Sequence, residues 1–461
     1  MAVVAVDLSI FLQRNGKISG NGVVPCLCNC RYKFDGIGKY YHPSYAVILD
    51  RFGLCRVSSA SKQIPEHPAA KRPHHHKLSC LFVAIVRVLV IGLSRYSAPT
   101  GICRYADMLC RALSSIKGVK ATLAIGAWQE HYFREAFGSY SHSDVRLVDI
   151  HNNPFSRNAW YTTKLPAIAR DLRADVVHFA YPVPFVRKLH CPVVVTLHDL
   201  YPYEVPENFK FAAANRAFLK ICLRRCKAVI CISRTTLDGL TEFLPDVAKS
   251  RLLAQIYNPI NRPESAASQQ PVAELQSGKF VLTVGQHRPN KNLDLLQRTF
   301  AALRVDYKIP ADWKLVIVGS EDKQTTELRA LTRGLNLTSH VVYLSSITDS
   351  ELAWLYGNCA VAAFPSSYEG LCMPVVEALL WGARVVCSDI PTLREVGMDA
   401  CTYFPLQSKP VESFAKAIST AMLRPAETSL TSALFSPCGA AQRIYEVYQS
   451  VICAPAPSTV V

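Results

Sequence analysis

Between Ala360 and Gly397 the chain reads AVAAFPSSYEGLCMPVVEALLWGARVVCSDIPTLREVG, an order of signals that few folds accommodate. An apolar run, Ala360–Phe364, stops at Pro365-Ser366-Ser367, and a loop containing Gly370 follows. A helix is expected to open at Pro374 and stop at Gly382, because proline suits the first helical position and glycine the one just past the last. A second apolar run starts at Arg384. Strand, loop, helix and strand in about 30 residues make one right-handed βαβ crossover of a parallel sheet. Glu369 and Glu377 stand eight positions apart across the loop and the first turn of that helix. The opening N–H groups of a helix lack intrahelical acceptors and carry the positive end of its dipole. The place beyond the strand therefore suits a diphosphate flanked by sugar hydroxyls.

From Val86 onward, apolar runs alternate with helical patterns. The first series is Val86–Gly92, Val176–Ala180, Val193–His198, Ala228–Ser233 and Leu252–Tyr257. After Asn258-Pro259-Ile260-Asn261-Arg262-Pro263, the polar stretch Glu264–Gln270 reads as a linker. A second series follows: Phe280–Gly285, Leu315–Gly319, Val341–Leu344, Ala360–Phe364 and Arg384–Ser388. Strands alternating with helices mean parallel sheets covered by helices on both faces. The expected fold class is α/β, with two doubly wound, Rossmann-like domains over 86–263 and 271–440. No sequence repeat relates them. A last helical pattern, Gln442–Val451, falls within 441–453, and the tail 454–461 is expected to fray.

Glu-x7-Glu after a strand, with Gly-x-x-x-Pro (Gly370 to Pro374) between the carboxylates, resembles the signature of retaining nucleotide-sugar glycosyltransferases with the GT-B fold. The family includes glycogen synthase, sucrose synthase and bacterial mannosyltransferases, and the resemblance runs from about Val86 to Tyr448. It implies two Rossmann-like domains facing a cleft, the first for the acceptor and the second for the nucleotide sugar, with the last helix crossing back to the first domain. The plainer alternative is an ordinary βαβ unit with two solvated glutamates.

Sugar transfer from a nucleotide needs a grip on the nucleoside, neutralisation of the departing diphosphate and support for a cation-like sugar. Some such enzymes hold a divalent metal with Asp-x-Asp, and this chain has none. Asp349-Ser350-Glu351 comes nearest, and it reads better as a helix start with Thr348 and Glu351 as a capping box. The cations are therefore expected to be side chains. Arg288 and Lys291, in VLTVGQHRPNKN, lie just past a strand and beside Gly285, where a doubly wound sheet places its ligand loop. The segment is similar to the family's Gly…Lys-Asn stretch. Lys291 matches it best, Arg288 more loosely, and Gln286 and Asn290 stand where many relatives carry arginine. Solvated loop cations are the alternative for both.

The resemblance further implies that Glu377 accepts the ribose hydroxyls. Glu369 would bond the transferred sugar and favour positive charge at its anomeric carbon. The N–H groups of Leu371, Cys372 and Met373 would face sugar and phosphate. Cys372 departs from the family, where glycine is common and permits close backbone approach. In VVVTLHDLYPYEVPENF, His198-Asp199 ends a strand and resembles the family's His-Asp pair near donor sugar and acceptor. A histidine can donate or accept at neutral pH. RYSAPTGICRYADML is similar to the Thr-Gly-Ile-x-Arg-Tyr segment, in which Gly101 would let backbone approach the donor or acceptor, and Arg104 and Tyr105 begin a helix. Ser233-Arg234 has a comparable position after its strand.

The 461 residues, half of them apolar, suffice for two domains and more. Their formal charge of +16 is uneven: 11 Lys/Arg against 4 Asp/Glu over 1–85, 24 against 14 over 86–270, and 16 against 17 over 271–461. A basic first half suggests an anionic partner. No nucleic-acid-binding pattern is present, and an anionic membrane face carrying a lipid-diphosphate acceptor fits better. Asn208–Lys227 could rest on such a surface as a basic amphipathic helix, the alternative being a domain helix with a solvated basic face. Seventeen singly scattered cysteines without Cys-x-x-Cys point to a reducing cytosol. Cys26, Cys28 and Cys30 with His74, His75 and His76 are spaced unlike a zinc site. Residues 1–85 lack sustained periodicity and read as a dispensable, poorly ordered extension. Cys80–Leu93 is too short to span a bilayer.

The reading is a metal-independent, retaining hexosyltransferase that needs no cofactor. It takes a nucleotide sugar, with GDP-mannose favoured because HDLYPYEVPENF looks most like mannosyltransferases of surface-polysaccharide assembly. The acceptor would be a glycan or lipid-diphosphate-linked glycan, at the cytoplasmic face of the membrane. The rivals are a nucleotide-sugar epimerase or phosphorylase on the same fold, and a non-catalytic binding protein.

Overall fold

A computed structural model of the chain describes short strands within residues 23–59 and residues 85–453, apart from 97–99, 138–143, 186, 209–210, 261–268, 307–308 and 425–431. The reading of Cys26–Cys30 and of His74–His76, most of the linker Glu264–Gln270 and the tail 454–461 lie outside the described residues. Residues 1–85 and 86–461 are separate compact units. In the first, β1 (Val23–Pro25), β2 (Arg31–Phe34), β3 (Tyr40–His42), β4 (Tyr45–Leu49) and β5 (Cys55–Ser59) pair in order as an antiparallel meander. Strands of three to five residues are too short to print a period on the sequence, which is why the expected irregular stretch contains them.

The second unit contains two parallel sheets. The first is built from β6 (Val86–Ile91), β7 (Val119–Gly126), β8 (Asp144–Val148), β9 (Val176–Phe179), β10 (Val193–Leu197), β11 (Ala228–Cys231) and β12 (Leu252–Gln255), in the order β12-β11-β10-β9-β6-β7-β8. The second comprises β13 (Phe280–Val284), β14 (Lys314–Val318), β15 (Val341–Leu344), β16 (Val361–Phe364), β17 (Val385–Ser388) and β18 (Cys401–Phe404), ordered β15-β14-β13-β16-β17-β18. Both match the α/β, Rossmann-like expectation. The sequence reading missed β7, β8 and β18. Lys120 and Thr122 interrupt the first, and the other two are edge strands with partly solvated side chains.

Alternation along each strand feeds two cores per sheet. In the first sheet Leu89, Ile91, Val177, Phe179, Val195 and Val229 pack on one face. Val88, Val90, Val176, Val194 and Ile230 pack on the other. That second face is closed partly by the helix Gly101–Ser114 and partly by the terminal helix Pro437–Cys453. Ala440, Ile444, Val447, Tyr448 and Val451 repeat at helical spacing, so one stripe of the last helix is buried against the first sheet although the chain has just left the second.

This junction contains a buried polar chain. Tyr448 bonds His178 Nδ1 at 2.5 Å, His178 Nε2 bonds Thr196 Oγ1 at 2.7 Å, and Thr196 meets the Tyr105 hydroxyl at 2.7 Å. Tyr105 then sets its ring edge-on to His198, centroids 4.9 Å apart. Burial, with His198 close by, lowers the His178 pKa to about 3, and burial lowers that of His198 to about 4. Both rings stay neutral when folded, whereas the unfolded chain protonates them near 6.5. Unfolding therefore takes up protons once the pH drops below about 6.5, and stability falls from there until about pH 3. Denaturation midpoints at pH 7 and pH 4.5 should differ in that direction. The difference should shrink in His178→Gln; an unchanged slope would show that this ring is not the titrating group.

Candidate active site

The second sheet reverses its strand order at the β13–β16 pair, so the loops leaving these strands run side by side at the carboxyl edge. Gly319, past β14, allows the crowding: a Cβ there would lie 1.8 Å from the Gly285 carbonyl oxygen. After β13 a short 3-10 turn, Pro289–Lys291, presents its side chains to the loop after β16. Asn292 Nδ2 donates to Pro365 O at 2.9 Å, Asn290 Nδ2 to Tyr368 O at 3.0 Å, and Ser367 N to Asn290 O at 2.8 Å. Thr392 Oγ1 donates to Glu369 O at 2.8 Å from the other side. The two loops thus form one lattice.

Within it, Lys291 Nζ donates to Glu369 Oε1 at 2.5 Å, both side chains largely buried. Lys291 runs past Gly285, where an added Cβ would stand 3.4 Å from its Cε. Burial disfavours the ammonium, but the Glu369 carboxylate more than offsets this and the pKa is raised. Lys291 is therefore a fixed cation at neutral pH.

The helix after this loop is Met373–Leu380, one residue ahead of the expected start. Cys372 caps it in the left-handed conformation, φ 61°, a region that favours glycine. The cysteine therefore occupies a backbone conformation that glycine adopts more readily. Because the helix begins at Met373, Glu377 sits in its second turn, not its first as the sequence suggested. Tyr356 OH donates to Glu377 Oε2 at 3.0 Å, and burial raises the Glu377 pKa against the opposing pull of Arg104. Leu371 and Cys372 side chains are buried in the second core, and Met373 Sδ accepts from Asn258 Nδ2 at 3.4 Å. Any part these three play toward a ligand falls to their backbone.

The first half meets this loop closely. A Cβ on Gly370 would lie 1.8 Å from the His198 carbonyl oxygen and 3.3 Å from Asp199 Cβ. Leu200 N donates to Tyr368 OH at 2.9 Å, and Thr236 Oγ1 to Gly370 O at 3.3 Å. His198 Nε2 lies 2.8 Å from Ala180 O, and since a carbonyl only accepts, Nε2 carries the proton. Nδ1 is left with its lone pair, so this neutral ring accepts a hydrogen bond there. Arg288 Nη2 reaches across to Tyr96 OH at 2.9 Å. Arg104 Nη2 reaches Asp349 Oδ1 at 2.5 Å, near Glu377. The Thr348–Glu351 capping box forms as expected.

Lys291 and Glu369 are thus paired, with Arg288 and the His198-Asp199 turn beside their loop, whereas Glu377 is held by Tyr356 near Arg104 and Asp349. Gly101 begins the helix whose Arg104 reaches Asp349, with nothing within 4 Å of an added Cβ, so protein packing does not require glycine there. The sequence reading gave no role to Asn290, Tyr356, Tyr368 or Glu395. Glu395 accepts from the N–H groups of Arg234 (2.5 Å) and Thr235 (2.9 Å) and from Tyr257 OH (3.0 Å), clasping a first-half helix from the second half. Its partners lie well over a hundred positions away, beyond any local pattern. Among the described residues no group of three or more His, Cys, Asp or Glu converges as metal ligands would.

Gly370→Ala tests the cross-junction contact. The methyl must push the glutamate loop off His198, and a misplacement of about 1 Å costs about a hundredfold in rate. The variant should keep its circular dichroism and lose activity on that scale; wild-type turnover would mean that the contact does not shape the site.

Comparison with known proteins agrees with this architecture. Residues 99–262 match the family Glycosyltransferase Family 4, and residues 265–430 match Glycosyl transferases group 1. The O-antigen chain mannosyltransferase RfbU of Salmonella typhimurium is 23% identical over 338 residues, covering 72% of this chain and 90% of that protein. Sucrose-phosphate synthase of Thermosynechococcus elongatus superposes with a TM-score of 0.64 at 19% identity, over 80% of this chain and all of that one. Anabaena Alr3699/HepE, solved in complex with UDP-glucose, gives 0.60 at 18%, over 79% and 99%. Two glycosyltransferase families joined end to end, on paired parallel sheets with this loop lattice between them, identify the chain as a member of the GT-B glycosyltransferases.

Proposed function

We propose that this glycosyltransferase is a metal-independent, retaining hexosyltransferase that moves mannose from GDP-mannose to a glycan or lipid-diphosphate-linked acceptor in surface-polysaccharide assembly. The observation that carries the reading is the buried Lys291–Glu369 pair at the sheet's switch point, in a loop whose Gly370 packs on His198. Lys291 and Arg288, with the opening N–H groups of the helix Met373–Leu380, neutralise the departing diphosphate. Glu377, oriented by Tyr356, accepts the ribose hydroxyls. Glu369 bonds the sugar's hydroxyls and favours positive charge at its anomeric carbon, while His198 Nδ1 accepts from a hydroxyl of sugar or acceptor. The acceptor oxygen bonds the anomeric carbon on the face the diphosphate leaves, as the carbon–oxygen bond to the diphosphate breaks. A diphosphate oxygen takes the acceptor's proton.

The likeness to a mannosyltransferase named for O-antigen chains supports the sugar and the pathway class. The scattered cysteines fit a cytoplasmic site of action. Donor entry requires the contacts between Gly370 and His198, and between Arg104 and Asp349, to part, and reclosing excludes water.

Thermal unfolding with GDP-mannose and UDP-glucose in turn should show protection by the first. Lys291→Met should lower transfer by at least about a hundredfold. It should also cost about 3 kcal/mol of stability, because Glu369 is left buried and unpaired. Glu377→Gln should weaken donor binding by about tenfold or more, the worth of a hydrogen bond to a charged group. Product anomers read by NMR should retain configuration, with chelator present. Protection by neither nucleotide sugar would sink the reading, and conversion of free donor without acceptor would favour an epimerase.

A further inference from the structure

The helix Ala212–Arg225 in the first half has a buried side and an unusual exposed one. Leu219, Cys222 and Leu223 pack into the core. Beside them, Phe218 and Ile221 stand 37% and 52% exposed, and Phe211, just before the helix, 74%. Positions 211, 214, 218 and 221 follow helical spacing, so with the exposed Ala214 they form one apolar stripe. The helix itself is one turn shorter at its start than the expected 208–227.

Cations border the stripe on one side. Residues 208–227 include six Lys/Arg and no Asp/Glu. Arg225, one turn beyond Ile221 on the same line, donates from Nη1 to Phe185 O at 2.9 Å. That bond brings alongside the segment with the exposed Arg187 and Lys188. Asp246, from a neighbouring helix, engages Lys220 and Arg224 on the opposite flank, away from the stripe. Apolar side chains bordered by exposed cations match an anionic bilayer, whose acyl boundary takes the former and whose headgroups take the latter. Among the described residues no helix is long and apolar enough to cross a membrane, so such a contact lies in the interface plane.

We propose that this face docks the protein on an anionic lipid surface, with Phe211, Phe218 and Ile221 inserted among the headgroups. The helix is tied to the site. Arg216 Nε donates to Pro202 O at 2.8 Å and Tyr203 OH to Arg216 O at 3.1 Å, four and five residues past His198. Docking there would offer the His198 side of the junction to an acceptor carried in the bilayer. That last step rests on the functional reading above; the docking does not.

Sedimentation of the full chain with vesicles separates the outcomes. Phosphatidylcholine vesicles containing phosphatidylglycerol should carry the protein down, and phosphatidylcholine alone should not. Phe218→Ser/Ile221→Ser and, separately, Arg187→Glu/Lys188→Glu should each weaken binding about tenfold or more with unchanged circular dichroism. Phe218→Trp, which keeps an aromatic ring in place, should show a blue-shifted emission on adding the anionic vesicles. Wild-type protein that stays in the supernatant overturns the proposal. So does serine-variant binding equal to wild type, or Phe218-dependent self-association without lipid. Vesicle binding with no nucleotide-sugar protection would leave the docking standing and remove the enzymatic reading.

Discussion

Lys291 and Glu369 are 78 positions apart in the chain and 2.5 Å apart in space, and the site is organised around keeping them there. A buried ion pair gives little net stability unless its geometry is fixed, because both ions lose water. Here the asparagines at 290 and 292 bind the second loop's backbone, Thr392 holds Glu369 from behind, and Gly285 leaves room for the lysine stem. The pair keeps a charged ammonium in a poorly hydrated place, poised to meet an anion. That is costly to build, which is why the proposed function places the departing diphosphate there.

Two Rossmann-like halves act as one catalyst only if their edges meet reproducibly. Three separate devices do this. The terminal helix leaves the second sheet and buries its stripe on the first. Glu395 supplies a carboxylate to the unpaired N–H groups at the start of the helix Arg234–Phe243, where the dipole favours negative charge. Gly370 removes the side chain that would keep the glutamate loop away from His198. The Glu395 clasp adjoins the Lys291–Glu369 lattice, since Thr392 on its own helix bonds Glu369 O and Thr236, beside the clasped residues, bonds Gly370 O.

Much of this was legible beforehand. Fully buried strands such as Val193–Leu197 and Phe280–Val284 announce themselves as apolar runs, so the two alternating series and the α/β class followed from the chain alone. Edge strands β8 and β18 did not, because partial solvation mixes polar residues into them. The helix after the glutamate loop was placed within a residue, yet Cys372 moved Glu377 into the second turn, since a cysteine gives no sign that it will adopt a left-handed backbone. His198 was marked by its strand end. Its fixed tautomer was not, for that depends on the Ala180 carbonyl from the adjacent strand.

Sequence determined what acts over a turn or a strand: periodicity, the Pro374 and Gly382 punctuation, the Thr348–Glu351 cap, and the spacing of Glu369 and Glu377. Tertiary structure decided which cation meets which carboxylate, that Arg104 faces Asp349 from 245 positions away, and that Glu395 caps a helix in the other half. Local propensity reaches only as far as neighbouring residues. Contacts set by strand order and by the docking of two halves leave no periodic trace in either partner's surroundings.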